Sequence, residues 1–103
     1  MSMLSVTKKQ EGTKLTVEAI GRIDTYTAPQ FDNEVSSELE GITDLVIDFS
    51  QVEYISSAGL RLIVTWQKAM SAKNGTFSVC HLADTIYNIF VATGLVDFIN
   101  IIK

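Results

Sequence analysis

Apolar and polar residues alternate along Leu4-Ser5-Val6-Thr7, a period of two that predicts a strand. Glu11-Gly12-Thr13 turns the chain back into a second strand from Lys14 to about Ile20, so the chain opens on an antiparallel hairpin. After Gly21-Arg22-Ile23-Asp24 the period changes. Ala28, Phe31, Val35 and Leu39 recur at helical spacing, and Thr27-Ala28-Pro29-Gln30 reads as the start of that helix. Thr27 is the predicted cap, Gln30 occupies the reciprocal capping-box position, and proline is tolerated in a first turn. Leu45-Val46-Ile47 is an unbroken apolar run, the pattern of a strand buried on both faces of a parallel sheet. From Ser57 to about Ala72 the stripe Leu62, Ile63, Trp66, Ala69, Met70 predicts a second helix, stopped at Lys73-Asn74-Gly75 by a glycine suited to a left-handed terminus. Thr76 to Cys80 is a further strand. Asp84 to Val91 is a third helix with Ile86, Ile89 and Phe90 inward, closed by Gly94, and Phe98 to Ile102 adds a strand or short helix. The order β-β-α-β-α-β-α plus an apolar tail predicts an α/β fold. It is a mixed, largely parallel sheet of four to five strands with an N-terminal hairpin and three main helices, one domain over residues 1–103.

Composition narrows the classes of function. A 47% hydrophobic and 19% charged chain of 103 residues has the balance of an ordinary globular domain with its own core. No apolar run approaches the length of a membrane span, and Ile99 to Ile102 is only a terminal patch broken by Asn100. Lys8 and Lys9 follow the first apolar residues without the apolar stretch of a secretory signal. The formal net charge of −4 argues against nucleic acid and anionic membrane as partners. A single cysteine, Cys80, excludes an internal disulfide and fits the reducing cytoplasm.

Reactive groups are few. His81 is the sole histidine, and no second histidine or cysteine stands at metal-ligand spacing, so the sequence argues against zinc. Cys80 neighbours His81, but adjacent strand residues point to opposite faces; a buried structural thiol is expected instead. Asp44 and Asp48 flank the apolar run at no special spacing. Phosphate-cradling, dinucleotide and nucleophile-elbow motifs are absent from the sequence, so no catalytic residue, metal or cofactor is assigned.

The pair Ser56-Ser57 stands apart. Serine is a favoured helix N-cap, which accounts for one of the two. The other projects from the first turn, where the positive end of the helix dipole and free N–H groups favour a phosphate. Gly59 is expected to leave room around it. Asp24 reads as a turn residue after a strand. Loops following parallel strands gather at one end of a sheet, which would make Asp24, Thr25, Thr27, Ser56 and Ser57 neighbours in a polar patch. Leu60, Arg61 and Val64 fall partly off the inward stripe. Burial of Leu60 and exposure are both compatible with the pattern; exposed beside Ser57, Leu60 and Val64 would form an apolar patch suited to a protein.

Two motifs carry a resemblance that covers essentially the whole chain: Gly21-Arg22-Ile23-Asp24 leading to Thr27-Ala28, and Val46-Ile47-Asp48-Phe49-Ser50 leading to Tyr54-Ile55-Ser56-Ser57-Ala58-Gly59-Leu60, supported by Gly94-Leu95. With them the chain resembles the bacterial anti-sigma factor antagonists built as a single STAS domain. The resemblance implies a non-enzymatic switch. The phosphorylated serine of the family stands two positions before the glycine, which is Ser57, with Ser56 the less favoured acceptor. The chain departs from the commonest family pattern in having Ser56 where aspartate is usual. The implied partner-binding residues are Asp24, Thr25, Thr27, Ser56, Ala58, Gly59, Leu60, Arg61 and Val64. The implied partners are an anti-sigma factor that is also a serine kinase, bound by the unphosphorylated domain so that the sigma factor is freed, and a PP2C-type serine phosphatase that resets the cycle. The chain is expected to be cytoplasmic and a monomer when free. The alternative within the family is a non-phosphorylated structural subunit of a lipid-transport ATPase complex. A small-ligand or nucleotide-binding module is a third reading, weakened by the lack of a phosphate-cradling glycine loop.

Overall fold

Strand β1 (Leu4–Glu11) and strand β2 (Lys14–Ile23) form the hairpin, with Leu4 opposite Gly21 at one end and Glu11 opposite Lys14 at the turn. In the computed structural model, which describes residues 3–102, there follow helix α1 (Ala28–Ser36), strand β3 (Asp44–Ile55), helix α2 (Ser57–Ala72), strand β4 (Thr76–Cys80) and helix α3 (Asp84–Ala92). A 3-10 turn (Leu95–Asp97) then leads to strand β5 (Asn100–Ile102). Of the two forms expected for the apolar tail, Phe98 to Ile102, the strand is the one adopted, the helical turn lying just before it, and the sheet has five strands.

The strands lie side by side in sequence order, β1-β2-β3-β4-β5, with β1 antiparallel and the others parallel. Parallel crossovers are right-handed, so a sheet whose order never reverses carries all its connecting helices on one face. Burial alternates accordingly. Leu15, Val17 and Ala19 on β2, Leu45, Ile47 and Phe49 on β3, and Phe77 and Val79 on β4 join one core with Phe31, Val35, Ile63, Trp66, Met70, Ile86 and Phe90 of the helices. Thr16, Glu18 and Ile20, the alternate residues of β2, are only half-buried. Val46 meets the expectation of burial at 8% exposure but lies outside that core, screened by its neighbours on the open face of the sheet. Trp66 and Phe31 meet edge to face at 5.0 Å between ring centroids, joining α2 to α1.

Three local expectations need correction. The Thr27 hydroxyl forms no cap bond, and Gln30 donates to the Leu4 carbonyl (3.1 Å) and to Glu34 (3.0 Å) instead of reaching back in a capping box. Asn74 takes the left-handed conformation after α2 (φ 59°), a role asparagine fills readily, and Gly75 does not. Gly75 serves by close approach, since a Cβ there would lie 2.7 Å from the Thr43 carbonyl oxygen. Ala69 is exposed: it sits at the rim of the buried stripe of α2, which Gly59, Ile63, Trp66 and Met70 fill.

Candidate functional site

The long strands β2 and β3 end level with one another, Ile23 beside Ile55. The Ser56 N–H donates to the Ile23 carbonyl at 2.8 Å, which fixes where α2 can begin. Ser56 is extended (φ −91°, ψ 175°), and its Oγ accepts a hydrogen bond from the Gly59 N–H at 3.3 Å. That bond identifies Ser56 as the N-cap. Ser57, the first residue of α2, is exposed. The two serines therefore divide the roles that helix geometry offers: one holds the turn, the other presents a hydroxyl to solvent.

Gly59 is buried beneath them. A Cβ built on it would stand 2.6 Å from Ile23 Cγ2 and 2.7 Å from Ile55 Cγ1. The missing side chain makes space on the buried side, where the first turn of α2 rests on both strand ends, and not around Ser57 as expected. Gly59→Ala is expected to destabilise the fold by about 1–3 kcal/mol through this overpacking. Urea unfolding checks it; an unchanged midpoint would mean the two isoleucines yield without strain.

The loop between β2 and α1 is held by a compact set of bonds. Asp24 Oδ1 accepts from the N–H groups of Tyr26 (2.9 Å) and Thr27 (3.0 Å). The Thr27 hydroxyl accepts from the Asp24 N–H (2.9 Å) and donates to the Arg22 carbonyl (2.8 Å). Asp24 and Thr27 are consequently 8% and 5% exposed, and with Gly59 they shape the surface from beneath. Little of either side chain reaches the surface, whereas the neighbouring loop residues do. Thr25 is exposed, and so is Tyr26, at 87%.

Arg22, Tyr26 and Tyr54, to which the sequence analysis assigns no role, are exposed on the same loop and strand ends. The Arg22 guanidinium lies 4.5 Å from the centroid of the Tyr54 ring, beside which it stands in the ladder, and Arg22 Nε is 3.9 Å from Asp24 Oδ2. A signal was available: Arg22 and Tyr54 alternate with the buried Ile23 and Ile55, so period two turns both outward. On α2, Arg61 is exposed one turn beyond Ser57, while Ala58 and Leu60 are half-buried and Leu60 packs on the core. Val64 is also half-buried and lines a separate groove with Gln67, Lys68, Leu95 and Phe98.

A second constellation lies where β4 ends. Asp48 and Cys80 are ladder neighbours on β3 and β4, and His81 Nδ1 is 3.3 Å from Asp48 Oδ1. Donor atoms of Asp48, Cys80 and His81 all lie within 4.8 Å of one another. The expectation that Cys80 and His81 point apart fails because His81 has left the strand. At φ 59° its backbone is left-handed, and strand alternation no longer applies. Burial raises the Asp48 carboxyl pKa, but hydrogen bonds from the Ser50 backbone and hydroxyl and from His81, with the His81 charge, together bring it below the usual value. Burial and then the Asp48 charge push the Cys80 thiol up, against a smaller opposing effect of Lys14.

The sequential sheet, the helices on one face and the hydroxyl at the start of α2 define a small α/β module that presents a single serine at the common end of its two longest strands. The STAS domain family model matches residues 5–103, and the chain belongs to that family. It is 33% identical over 96 residues to the anti-sigma-B factor antagonist of Listeria monocytogenes, covering 91% of this chain and 83% of the relative. It is 31% identical over 98 residues to the protein of the same name from Bacillus subtilis, covering 95% and 90%. In fold it superposes on the anti-sigma factor antagonist SpoIIAA in its unphosphorylated form with a TM-score of 0.83 at 15% identity, over 96% of this chain and 89% of the other. No described helix is long and apolar enough to cross a membrane.

Proposed function

We propose that this chain, as one STAS domain, is an anti-sigma factor antagonist switched by phosphorylation of Ser57, a regulatory binding protein of the cytoplasm and not an enzyme. The observation that carries the reading is the division of labour between the serines: Ser56 is engaged as the cap, and Ser57 is exposed at the helix start. The relatives named anti-sigma-B factor antagonists support the choice of partner class.

In this reading the unphosphorylated surface around Ser57, Thr25, Arg61 and the edge of Leu60 binds an anti-sigma factor that is also a serine kinase, which releases the sigma factor. Phosphate on Ser57 adds a charge of about −1.5 to −2. It meets the positive end of α2, and Arg61 stands at i+4 on the same helix face, within reach as a counter-charge. The modified helix start is stable in the free protein, whereas a dianion pressed into a packed interface is not. Release follows from that difference, and a PP2C-type phosphatase restores the binding form.

Incubation with the cognate kinase and ATP, followed by mass-spectrometric mapping, is expected to place one phosphate on Ser57. Label on Ser56, or no label at all, would contradict the assignment, the latter favouring a constitutive structural subunit. Tyr26 is an exposed aromatic on the adjoining loop, the kind of residue that anchors protein interfaces. Tyr26→Ala is expected to weaken kinase binding by roughly tenfold, about 1.4 kcal/mol, without moving the unfolding midpoint. Calorimetric titration reads it, and unchanged affinity would place Tyr26 outside the contact.

A further inference from the structure

We propose that Asp48, Cys80 and His81 form a binding site for a divalent transition cation of the zinc class. The site is separate from the switch. Asp48 lies on β3 well before Ile55, and at about 3.3 Å per residue the two ends are roughly 20 Å apart.

Donor chemistry selects the cation. A thiolate, an imidazole and a carboxylate together suit zinc and its neighbours, whereas magnesium and calcium take oxygen ligands. Their summed charge of −2 with neutral imidazole matches a dication. Geometry supports the same conclusion. In a tetrahedral zinc site, bond lengths of about 2.0–2.3 Å put neighbouring donor atoms roughly 3.3–3.6 Å apart. His81 Nδ1 and Asp48 Oδ1 already stand at 3.3 Å. The full trio lies within 4.8 Å, so closure requires little more than an ångström, and His81, 61% exposed on its side chain, has the freedom to supply it.

Two of the donors are held in place by the backbone. Asp48 and Cys80 face each other across the β3–β4 ladder, and the left-handed backbone at His81 folds the imidazole back over them. Asp48 Oδ1 also accepts the Ser50 N–H at 2.8 Å, an outer contact that orients the carboxylate. Beyond His81 the surface opens into a pocket of about 390 Å³ lined by Leu82, Asp84, Tyr87, Ile101 and Ile102. Three protein donors leave the fourth coordination position to water or an external ligand. A bound cation would clamp the end of β4 to β3 and fix the connection into α3.

The test uses the intact chain, reduced with a phosphine, stripped of metal and titrated with Co²⁺ as a spectroscopic stand-in. Expected are a near-ultraviolet thiolate-to-cobalt band, intense visible bands of tetrahedral cobalt, displacement of both by Zn²⁺, and a higher melting temperature with Zn²⁺. Cys80→Ser should abolish the thiolate band. His81→Asn, which keeps a residue tolerant of the left-handed backbone, should weaken Co²⁺ binding by about tenfold or more. Folding of each variant is checked by circular dichroism; His81 is exposed, and Cys80→Ser keeps nearly the volume of the buried Cys80 side chain. No binding, weak octahedral cobalt spectra without a thiolate band, or Zn²⁺ affinity unchanged in both variants would overturn the proposal.

Discussion

Ser57→Asp is expected to lower affinity for the anti-sigma factor kinase by roughly tenfold to a hundredfold, about 1.4–2.7 kcal/mol, while Ser57→Ala leaves it nearly unchanged. The asymmetry follows from where the side chain sits. Ser57 is exposed and makes no cap bond, because Ser56 accepts from Gly59, so removing its hydroxyl takes nothing from the helix. A carboxylate at the same position is tolerated in the free protein by the helix dipole. In a complex it must be desolvated against the partner, with like charge or unpaired acceptors adding to the penalty. Aspartate carries one charge where phosphate carries nearly two, so the phosphorylated protein should bind more weakly still. Binding isotherms for wild type, both variants and the phosphorylated protein test the order. Equal affinities for Ser57→Asp and Ser57→Ala would refute an electrostatic switch at this residue.

The largest effect on stability is expected at Trp66. Its indole is fully buried, meets Phe31 edge to face, and donates from Nε1 to the Ser36 hydroxyl at 3.2 Å. Truncation to alanine removes these contacts and leaves a cavity between α1, α2 and the sheet. The expected loss is about 3–5 kcal/mol, a fall in melting temperature of well over ~10 °C for a domain of this size. Trp66→Phe retains most of the packing and loses the hydrogen bond, so its loss should be nearer ~1–2 kcal/mol. Ser36→Ala should lose less again, because Ser36 is exposed and water can take its place. Chemical denaturation of the three variants separates packing from hydrogen bonding. A Trp66→Ala protein as stable as wild type would mean α1 closes the cavity by moving.

Particular residues mark the boundary of what could be read in advance. The elements were legible because burial imposes a period of two on strands and 3.6 on helices, and Phe31, Val35, Ile63, Trp66 and Met70 all fall where those periods put them. The serine pair was legible because capping chemistry is local, spanning only Ser56 to Gly59. Thr27 and Gln30 misled for the converse reason. A correct capping pattern was present, but Asp24 offered Thr27 better partners from outside the helix. The buried face that Gly59 clears is not local, since its neighbours Ile23 and Ile55 come from two strands distant in sequence.

The sequence by itself determined the order of elements, the position of the helix that begins at Ser57, and that one of the two serines would cap it while the other projects. These depend on periodicity and on hydrogen bonds between residues a few positions apart. Only the tertiary structure decided that the strands run in unreversed order with one open face, and that Asp48 reaches Cys80 and His81. Those facts depend on pairings between strands remote in sequence and on one left-handed residue at the end of β4, to which no local period responds.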